Sequence, residues 1–246
     1  MNPFMRMQLA NKGKGDGIRA DASTIWIYDV IATDSEEAAW FGGISPDQFI
    51  KALSQTTGPV TLRINSPGGS VFGAQAMVSA MRAHPAPITA RVDSLAASAA
   101  SVIACEAATL EIVQGGMLMV HKAWGMAVGN EADMRDTADL LSKIDGQIAA
   151  TYARRAEGDV EEWLATMAAE TWFDAAEAVA AGLADRVIDE NMQRPKAQWD
   201  LSAYAAAPAI EAVVAEVAPV AEVEEPKDLR PMRARQLAAR LVAPAI

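Results

Sequence analysis

Only two side chains in this chain are histidines, which limits where a catalytic base can lie. They are His84 and His121, and the single cysteine is Cys105. A serine hydrolase needs a nucleophile, a base that accepts its proton, and donors where negative charge develops. His84 lies in a proline-rich connection and is interpreted as a solvated loop residue. His121 follows the apolar run 117–120, and the ends of parallel strands are where ligands collect. It is therefore the candidate base.

Ser98 is the candidate nucleophile. It stands at the entry to a predicted helix of small residues, 96–107. The unpaired amides at a helix start carry partial positive charge, and small neighbours let those amides approach a ligand. Two other serines compete with it, because Ser94 is the better helix cap and Ser101 would lie nearly one turn inside the helix. The segment alone is also explained by a Ser98 that only caps the helix or fits its packing.

The turn 66–70, Ser-Pro-Gly-Gly-Ser, directly follows a predicted buried strand. Adjacent glycines permit backbone angles that expose an amide towards the neighbouring strand end. One such amide, together with the amide of Ala99, could form an oxyanion hole, in which a single donor is worth about 100- to 1,000-fold in rate. Pro-Gly-Gly by itself is more often only a turn.

Alternating strands and helices are predicted to position these residues. Two consecutive strand–helix units imply parallel strands covered by helices, and so an α/β fold. His121 is expected to follow a hairpin around Gly115 and Gly116. The helix capped by Asn130 carries an apolar stripe that must pack on the domain body or on a second subunit. The predicted strands are 24–31, 60–64, 88–92, 109–113, 117–120 and 184–188; the predicted helices are 45–53, 71–83, 96–107, 130–155, 161–169 and 175–181.

Composition divides the chain into three parts and excludes several functions. Residues 1–22 are predicted to be a flexible arm, 23–200 the folded domain, and 201–246 an Ala/Pro/Glu-rich linker with a basic, disordered tail. The net charge of −11 argues against binding nucleic acid. One cysteine and two histidines predict neither a disulfide nor a zinc site, and favour a reducing compartment. The sequence predicts neither a signal peptide nor a transmembrane helix.

Four segments in this order resemble the proteolytic subunit of Clp protease (ClpP), and most closely the ClpP-like head maturation proteases of tailed phages and prophages. The resemblance covers about 25–188. It implies Ser98 as nucleophile, His121 as general base and the amides of Gly69 and Ala99 as the oxyanion hole. Glu170 stands where the family has its aspartate, and Asp174 is its rival. The segments are 64–70 (INSPGGS), 96–100 (AASAA), 119–121 (MVH) and 175–185 (AAEAVAAGLAD).

The resemblance further implies a ClpP/crotonase-like superhelix of ββα units, with 131–155 as the handle helix through which ring subunits meet. The expected activity is that of a serine endopeptidase that works through an acyl-enzyme without a metal or organic cofactor. Expected partners are copies of the chain in rings of seven, single or stacked, phage capsid or scaffold proteins as substrates, and an ATP-dependent unfoldase. The expected location is the bacterial cytoplasm or a phage procapsid.

Three alternatives remain at this point. A crotonase-type acyl-CoA hydratase or isomerase shares the fold but uses carboxylates in place of serine and histidine. A catalytically silent ring or scaffold subunit would need neither residue. A serine–lysine dyad through Lys122 is disfavoured, because Lys122 should point to the opposite face of the strand from His121.

Overall fold

Strands and helices alternate along most of the chain, as the pattern predicts. The computed structural model describes residues 3–189 and 199–208. The strands are β1 Gly17–Ala20, β2 Thr24–Tyr28, β3 Val60–Ser66, β4 Ile88–Ala97, β5 Thr109–Val113, β6 Met117–Val120, β7 Thr171–Asp174 and β8 Arg186–Ile188. The helices are α1 Pro3–Asn11, α2 Ser35–Phe41, α3 Pro46–Ser54, α4 Val71–Ala83, α5 Ala99–Glu106, α6 Glu131–Arg155, α7 Val160–Ala168 and α8 Ala175–Ala180.

One sheet connects all of these strands. Its order is β1-β2-β3-β4-β5-β8, with β6 beside β4 and β7 beside β6. Strands β2, β3, β4, β5 and β8 pair in parallel, each with the next in this order, and β6 pairs in parallel with β4. Strand β1 pairs antiparallel with β2, and β7 pairs antiparallel with β6. The predicted α/β class is confirmed.

Strand β4 is longer than the sequence predicts, and its length sets the position of Ser98. The polar pair Asp93 and Ser94 is typical of a turn, but the strand continues to Ala97. Asp93 is accommodated there because Arg63 binds its carboxylate through two hydrogen bonds of 2.8 Å and the Tyr28 hydroxyl donates a third. The predicted turn at 93–95 and a helix start at residue 96 are therefore wrong. Helix α5 begins at Ala99, immediately after Ser98.

The expected hairpin around Gly115 and Gly116 is also wrong. Strands β5 and β6 do not pair with each other; each pairs in parallel with a different stretch of β4. Residues 89–92 of β4 pair with β5, and residues 95–97 pair with β6. Because one long strand serves both partners, β6 is brought directly beside the end of β4.

The two halves of helix α6 have different surroundings. Ile148 and Tyr152, in its second half, are 4% and 1% exposed and belong to the main core. Met134 and Leu140, in its first half, are 43% and 51% exposed. The apolar stripe therefore packs on the domain body along only half of its length.

The N-terminal segment is not the unstructured arm predicted for residues 1–22. Residues 3–11 form α1, and β1 pairs antiparallel with β2. Met7 and Asn11 are buried at 4% and 0% exposure. These elements are short, and their stabilising partners lie far away in the sequence, so local periodicity gives little sign of them.

The predicted domain boundary at residue 200 also needs correction. The compact unit continues to Ala207. Tyr204, in this extension, and Trp199, just before it, are buried because they pack on the second face of the sheet with Met7, Val30 and Met119. The rest of the predicted linker and tail, residues 209–246, lies outside the described residues.

Candidate active site

Ser98 occupies the junction between β4 and α5 in a strained backbone conformation. Its φ is 54°, and among the described residues only Ser98 and Glu170 combine a side chain with positive φ. Such conformations cost of order 1–3 kcal/mol each and cluster at functional sites. The Ser98 side chain makes no capping hydrogen bond to α5, so the interpretation as a helix cap is wrong. Its backbone N–H donates to the carbonyl of Met119 at 2.9 Å, which fixes the junction against the end of β6.

His121 lies within hydrogen-bond distance of Ser98. The register pairs Ala97 with Met119, so the residues that follow β4 and β6 meet at the same end of the sheet. His121 Nε2 is 2.7 Å from Ser98 Oγ. Both side chains are partly exposed. The sequence-predicted pair is thus brought together in a geometry that permits proton transfer.

The environment of His121 favours the neutral imidazole. Burial of the ring lowers its pKa below the ordinary value, and the negative charge of Glu170 raises it, with burial the larger influence. A neutral ring with an unprotonated Nε2 accepts a hydrogen bond from the Ser98 hydroxyl. His121 is therefore in the protonation state that a general base requires at neutral pH.

The turn after β3 packs against the Ser98 junction, and this contact requires glycine at position 68. A Cβ on Gly68 would lie 2.6 Å from the carbonyl oxygen of Ala97 and 2.8 Å from the Cβ of Ser98. The φ of Gly68 is also positive, at 94°. Glycine at this position lets the turn approach the nucleophile more closely than any side chain would allow.

The N–H groups of Gly69 and Ala99 take no part in the backbone hydrogen bonds that fix the turn. Ile31 donates to the carbonyl of Gly68 and accepts from the N–H of Ser70, both at 2.8 Å. Within the described chain, no hydrogen bond from the N–H of Gly69 or Ala99 to another group is present. Ala99 is the first residue of α5, where a helix leaves its amides without partners. Both amides can therefore donate to an oxygen beside Ser98.

Glu170, and not Asp174, lies next to His121. Strand β7 pairs antiparallel with β6, with Thr171 opposite Val120 and Asp174 opposite Met117. Glu170 therefore continues the register beside His121, whereas Asp174 lies four residues further along the strand, opposite Met117. The side chain of Asp174 is also engaged elsewhere, as the N-cap of α8, where it accepts the Glu177 N–H at 2.8 Å.

The Glu170 carboxylate acts on His121 through its charge rather than through a direct bond. Its two oxygens accept the N–H groups of Ala205 at 3.0 Å and Ala206 at 2.6 Å. Among the described residues no hydrogen bond joins it to His121. A carboxylate held in this way still favours the protonated form of the neighbouring imidazole.

The competing serines and the second histidine have structural roles. Ser94 lies inside β4, and the buried Ser101 donates to the carbonyl of Ser98 at 2.6 Å. His84 contacts the hydroxyl of Thr56 and the carbonyl of Ala86, each at 3.0 Å, in the loop that the sequence predicts.

The other chemically reactive side chains are poorly placed. Lys122 is exposed, and its positive charge acts on the pKa of Asp145. Burial raises the pKa of Cys105 to about 12, so its thiol is not a nucleophile at neutral pH. The described residues contain no group of His, Cys, Asp or Glu suited to a metal ion. Nor does any helix in the described ranges have the length and apolar character to cross a bilayer.

A small, mostly apolar cavity opens beside Ser98 and His121. Its walls come from α4, α5 and α6 and from residues 121–123. The space inside it, about 10 Å³, is that of roughly one water molecule, so the cavity as it stands does not hold a substrate side chain. The lining residues of the helices are Val71, Ala74, Gln75, Ala99, Val102, Ile148 and Tyr152.

Tyr204 is a site residue that the sequence reasoning missed. Its ring meets the His121 ring edge-on, with centroids 5.3 Å apart and an angle of 76°. Its hydroxyl donates to the carbonyl of Pro67 at 2.5 Å. The available signal was two large aromatic residues, Trp199 and Tyr204, at the start of a segment otherwise rich in alanine.

Comparison with known proteins finds one matching family and several relatives. The model of the family described as Clp protease matches residues 48–191. Three relatives are named ATP-dependent Clp protease proteolytic subunits. The one from Leuconostoc citreum (strain KM20) is 29% identical over 151 residues, which cover 60% of this chain and 75% of that protein. Those from Bacteroides thetaiotaomicron and Rhodococcus jostii (strain RHA1, subunit 3) are 26% and 28% identical over 131 residues each, covering 52% of this chain and 60% and 65% of the respective relative.

The matched region contains Ser98, His121 and Glu170, but not Tyr204. It also contains most of the parallel sheet and its covering helices, so the predicted ClpP-like fold is confirmed. The chain belongs to the Clp protease family.

Proposed function

We propose that this chain is a serine endopeptidase of the ClpP type. The observation that carries the proposal is the 2.7 Å contact between Ser98 Oγ and His121 Nε2 beside the free amides of Gly69 and Ala99. Nucleophile, base and oxyanion donors are the three parts that acyl transfer by a serine enzyme needs. The crotonase-type alternative is disfavoured because this site presents a serine and a histidine where that chemistry needs carboxylates.

The reaction proceeds in two acyl-transfer steps. Ser98 Oγ attacks the peptide carbonyl carbon while His121 Nε2 takes its proton, and the amides of Gly69 and Ala99 stabilise the oxyanion. The C–N bond then breaks, and the imidazolium gives its proton to the leaving amine. Water, deprotonated by His121, then attacks the acyl-enzyme; as the bond between the acyl carbon and Ser98 Oγ breaks, the imidazolium returns the proton to Ser98 Oγ and the carboxylic acid product leaves. Glu170 is the third member of the site and stabilises the imidazolium that forms in each step.

Labelling with a mass-tagged fluorophosphonate tests this function. We expect one adduct on Ser98, lost in Ser98→Ala and strongly reduced in His121→Ala, because the reagent needs an activated serine. A folded wild-type chain that takes up no label would overturn the proposal. That result would favour the silent ring or scaffold subunit.

The proposed biological role is maturation of a phage or prophage head. It rests on the resemblance of the four sequence segments, since the named relatives are bacterial Clp subunits. The substrates would be capsid or scaffold proteins, and the site of action the bacterial cytoplasm or the procapsid. The names of the relatives make an ATP-dependent unfoldase a second proposed partner.

Incubation with the capsid and scaffold proteins encoded beside this chain tests that role. Wild type should cut at least one of them at discrete positions, whereas Ser98→Ala should leave them intact. Cleavage of model peptides without cleavage of these proteins, with or without a Clp unfoldase, would show a peptidase with another substrate.

A further inference from the structure

Residues 199–207 form a strap across one face of the sheet, outside the region that matches the Clp protease family. Its first two residues, Trp199 and Asp200, are each hydrogen-bonded to a buried asparagine. Trp199 Nε1 donates to Asn65 Oδ1 at 3.0 Å. Asn11 donates to the carbonyl of Asp200 at 3.0 Å and accepts its N–H at 2.7 Å. Both asparagines are completely buried, so the strap is an integral part of the domain.

The later part of the strap contacts three separate parts of the proposed catalytic machinery. The Tyr204 ring packs edge-on against His121, and its hydroxyl binds the carbonyl of Pro67, next to the oxyanion turn. The amides of Ala205 and Ala206 hold the Glu170 carboxylate. A single short segment therefore touches the base, the third catalytic member and the oxyanion turn.

The strap packs on the face of the sheet opposite the main core, and its Tyr204 is also within hydrogen-bond reach of the Ser98 side chain. It packs on Ala97 and Met119, whereas the neighbouring residues Ala96 and Leu118 face the main core. Alternate residues of a strand point to opposite faces of the sheet. The cavity beside Ser98 is walled by helices on that core side. Ser98 and His121 also keep partial exposure with the strap in place.

We infer that the strap is a built-in clamp that holds His121 and Glu170 in their reactive positions, with Tyr204 as the central positioning residue. The inference deepens the proposed function and rests on it. A buried tyrosine fixed at both ring and hydroxyl limits rotation of the imidazole it packs against. Displacement of a catalytic group by about 1 Å can cost on the order of 100-fold in rate. The Clp-type site of this chain is thus completed by a segment that the family region lacks.

The test compares full-length Tyr204 variants by the second-order rate of fluorophosphonate labelling at Ser98 and by kcat and KM on a fluorogenic peptide. Tyr204→Ala should lower labelling and kcat by about 10- to 100-fold with little change in KM, since the ring holds the base and not the substrate. Tyr204→Phe keeps the ring and should restore most of the rate. Tyr204→Leu keeps most of the buried volume without the flat ring, and should stay folded but slow.

A matched control is Trp40→Ala, which removes an exposed aromatic side chain from α2 and should leave both rates unchanged. If the wild type is labelled, and Tyr204→Ala and Tyr204→Leu are labelled as fast as the wild type, the clamp is refuted while the proposed protease function stands. Faster labelling of these variants would also refute it, because it would mean that the strap obstructs the site. If wild type itself takes no label, the proposed function fails first.

Discussion

At the scale of single residues, burial lowers the pKa of His121 and the charge of Glu170 partly offsets that effect, so both should shape the pH dependence of the proposed peptidase. Catalysis needs the neutral imidazole, so kcat/KM should rise with pH through an apparent pKa below 6.5. The Glu170 charge raises that pKa, and its removal in Glu170→Gln should therefore move the acid limb to lower pH. We also expect kcat/KM on the pH plateau to fall about tenfold, because a nearby charge no longer stabilises the imidazolium. Peptidase rates measured from about pH 4 to about pH 8, on either side of the ordinary histidine pKa, give both the position of the acid limb and the height of the plateau.

Asp174 supplies the matched control for this prediction. It is the rival carboxylate in sequence, and asparagine caps helices about as well as aspartate, so Asp174→Asn should keep α8 intact. Its acid limb and plateau should equal those of wild type. An acid limb that moves in Asp174→Asn and stays in place in Glu170→Gln would reverse the assignment of the third member.

At the scale of elements, the site depends on how closely the turn after β3 approaches the junction of β4 and α5. Gly68→Ala places a Cβ 2.8 Å from the Cβ of Ser98 and forces an unfavourable positive φ. We expect peptidase activity to fall by at least about 100-fold, since the turn carries one oxyanion donor. Stability should fall by about 1–3 kcal/mol from the strained backbone. Gly58→Ala, in the loop before the same strand, meets open space and should leave both quantities unchanged. Full activity in Gly68→Ala would mean that the turn does not form the oxyanion hole.

The sequence predicts the elements whose signals are local and misses those that depend on distant partners. Helix α4 is predicted with its observed bounds, and α3 to within one residue at each end, because a serine cap followed by proline is a local signal. Strand β7 was missed, since four residues carry too little periodicity and are stabilised by pairing with β6. The continuation of β4 through Asp93 depends on a buried ion pair with a distant arginine. The meeting of Ser98 and His121 followed from resemblance to a family, and the strap, which lies beyond that family region, was not foreseen.

At the scale of the whole molecule, an apolar surface around the first half of α6 needs a partner. Met126 and Val128 are 68% and 86% exposed just before the helix, and Leu140 is 51% exposed on it. Proteins of the Clp family form rings, and a half-covered handle helix is the part of this chain suited to that contact. We expect native mass spectrometry to show that the wild type is a homo-oligomer. Leu140→Glu, alone or combined with Met126→Glu, should lower the mass of the oligomer at the same protein concentration. The reason is that burying an unpaired carboxylate in a subunit contact is costly. Trp40→Glu places the same charge at another exposed apolar position, on α2, and should leave the mass unchanged. An oligomer whose mass is the same in the α6 variants would place the subunit contact elsewhere on the domain. A monomeric wild type would mean that there is no such contact, and that the domain acts without a ring.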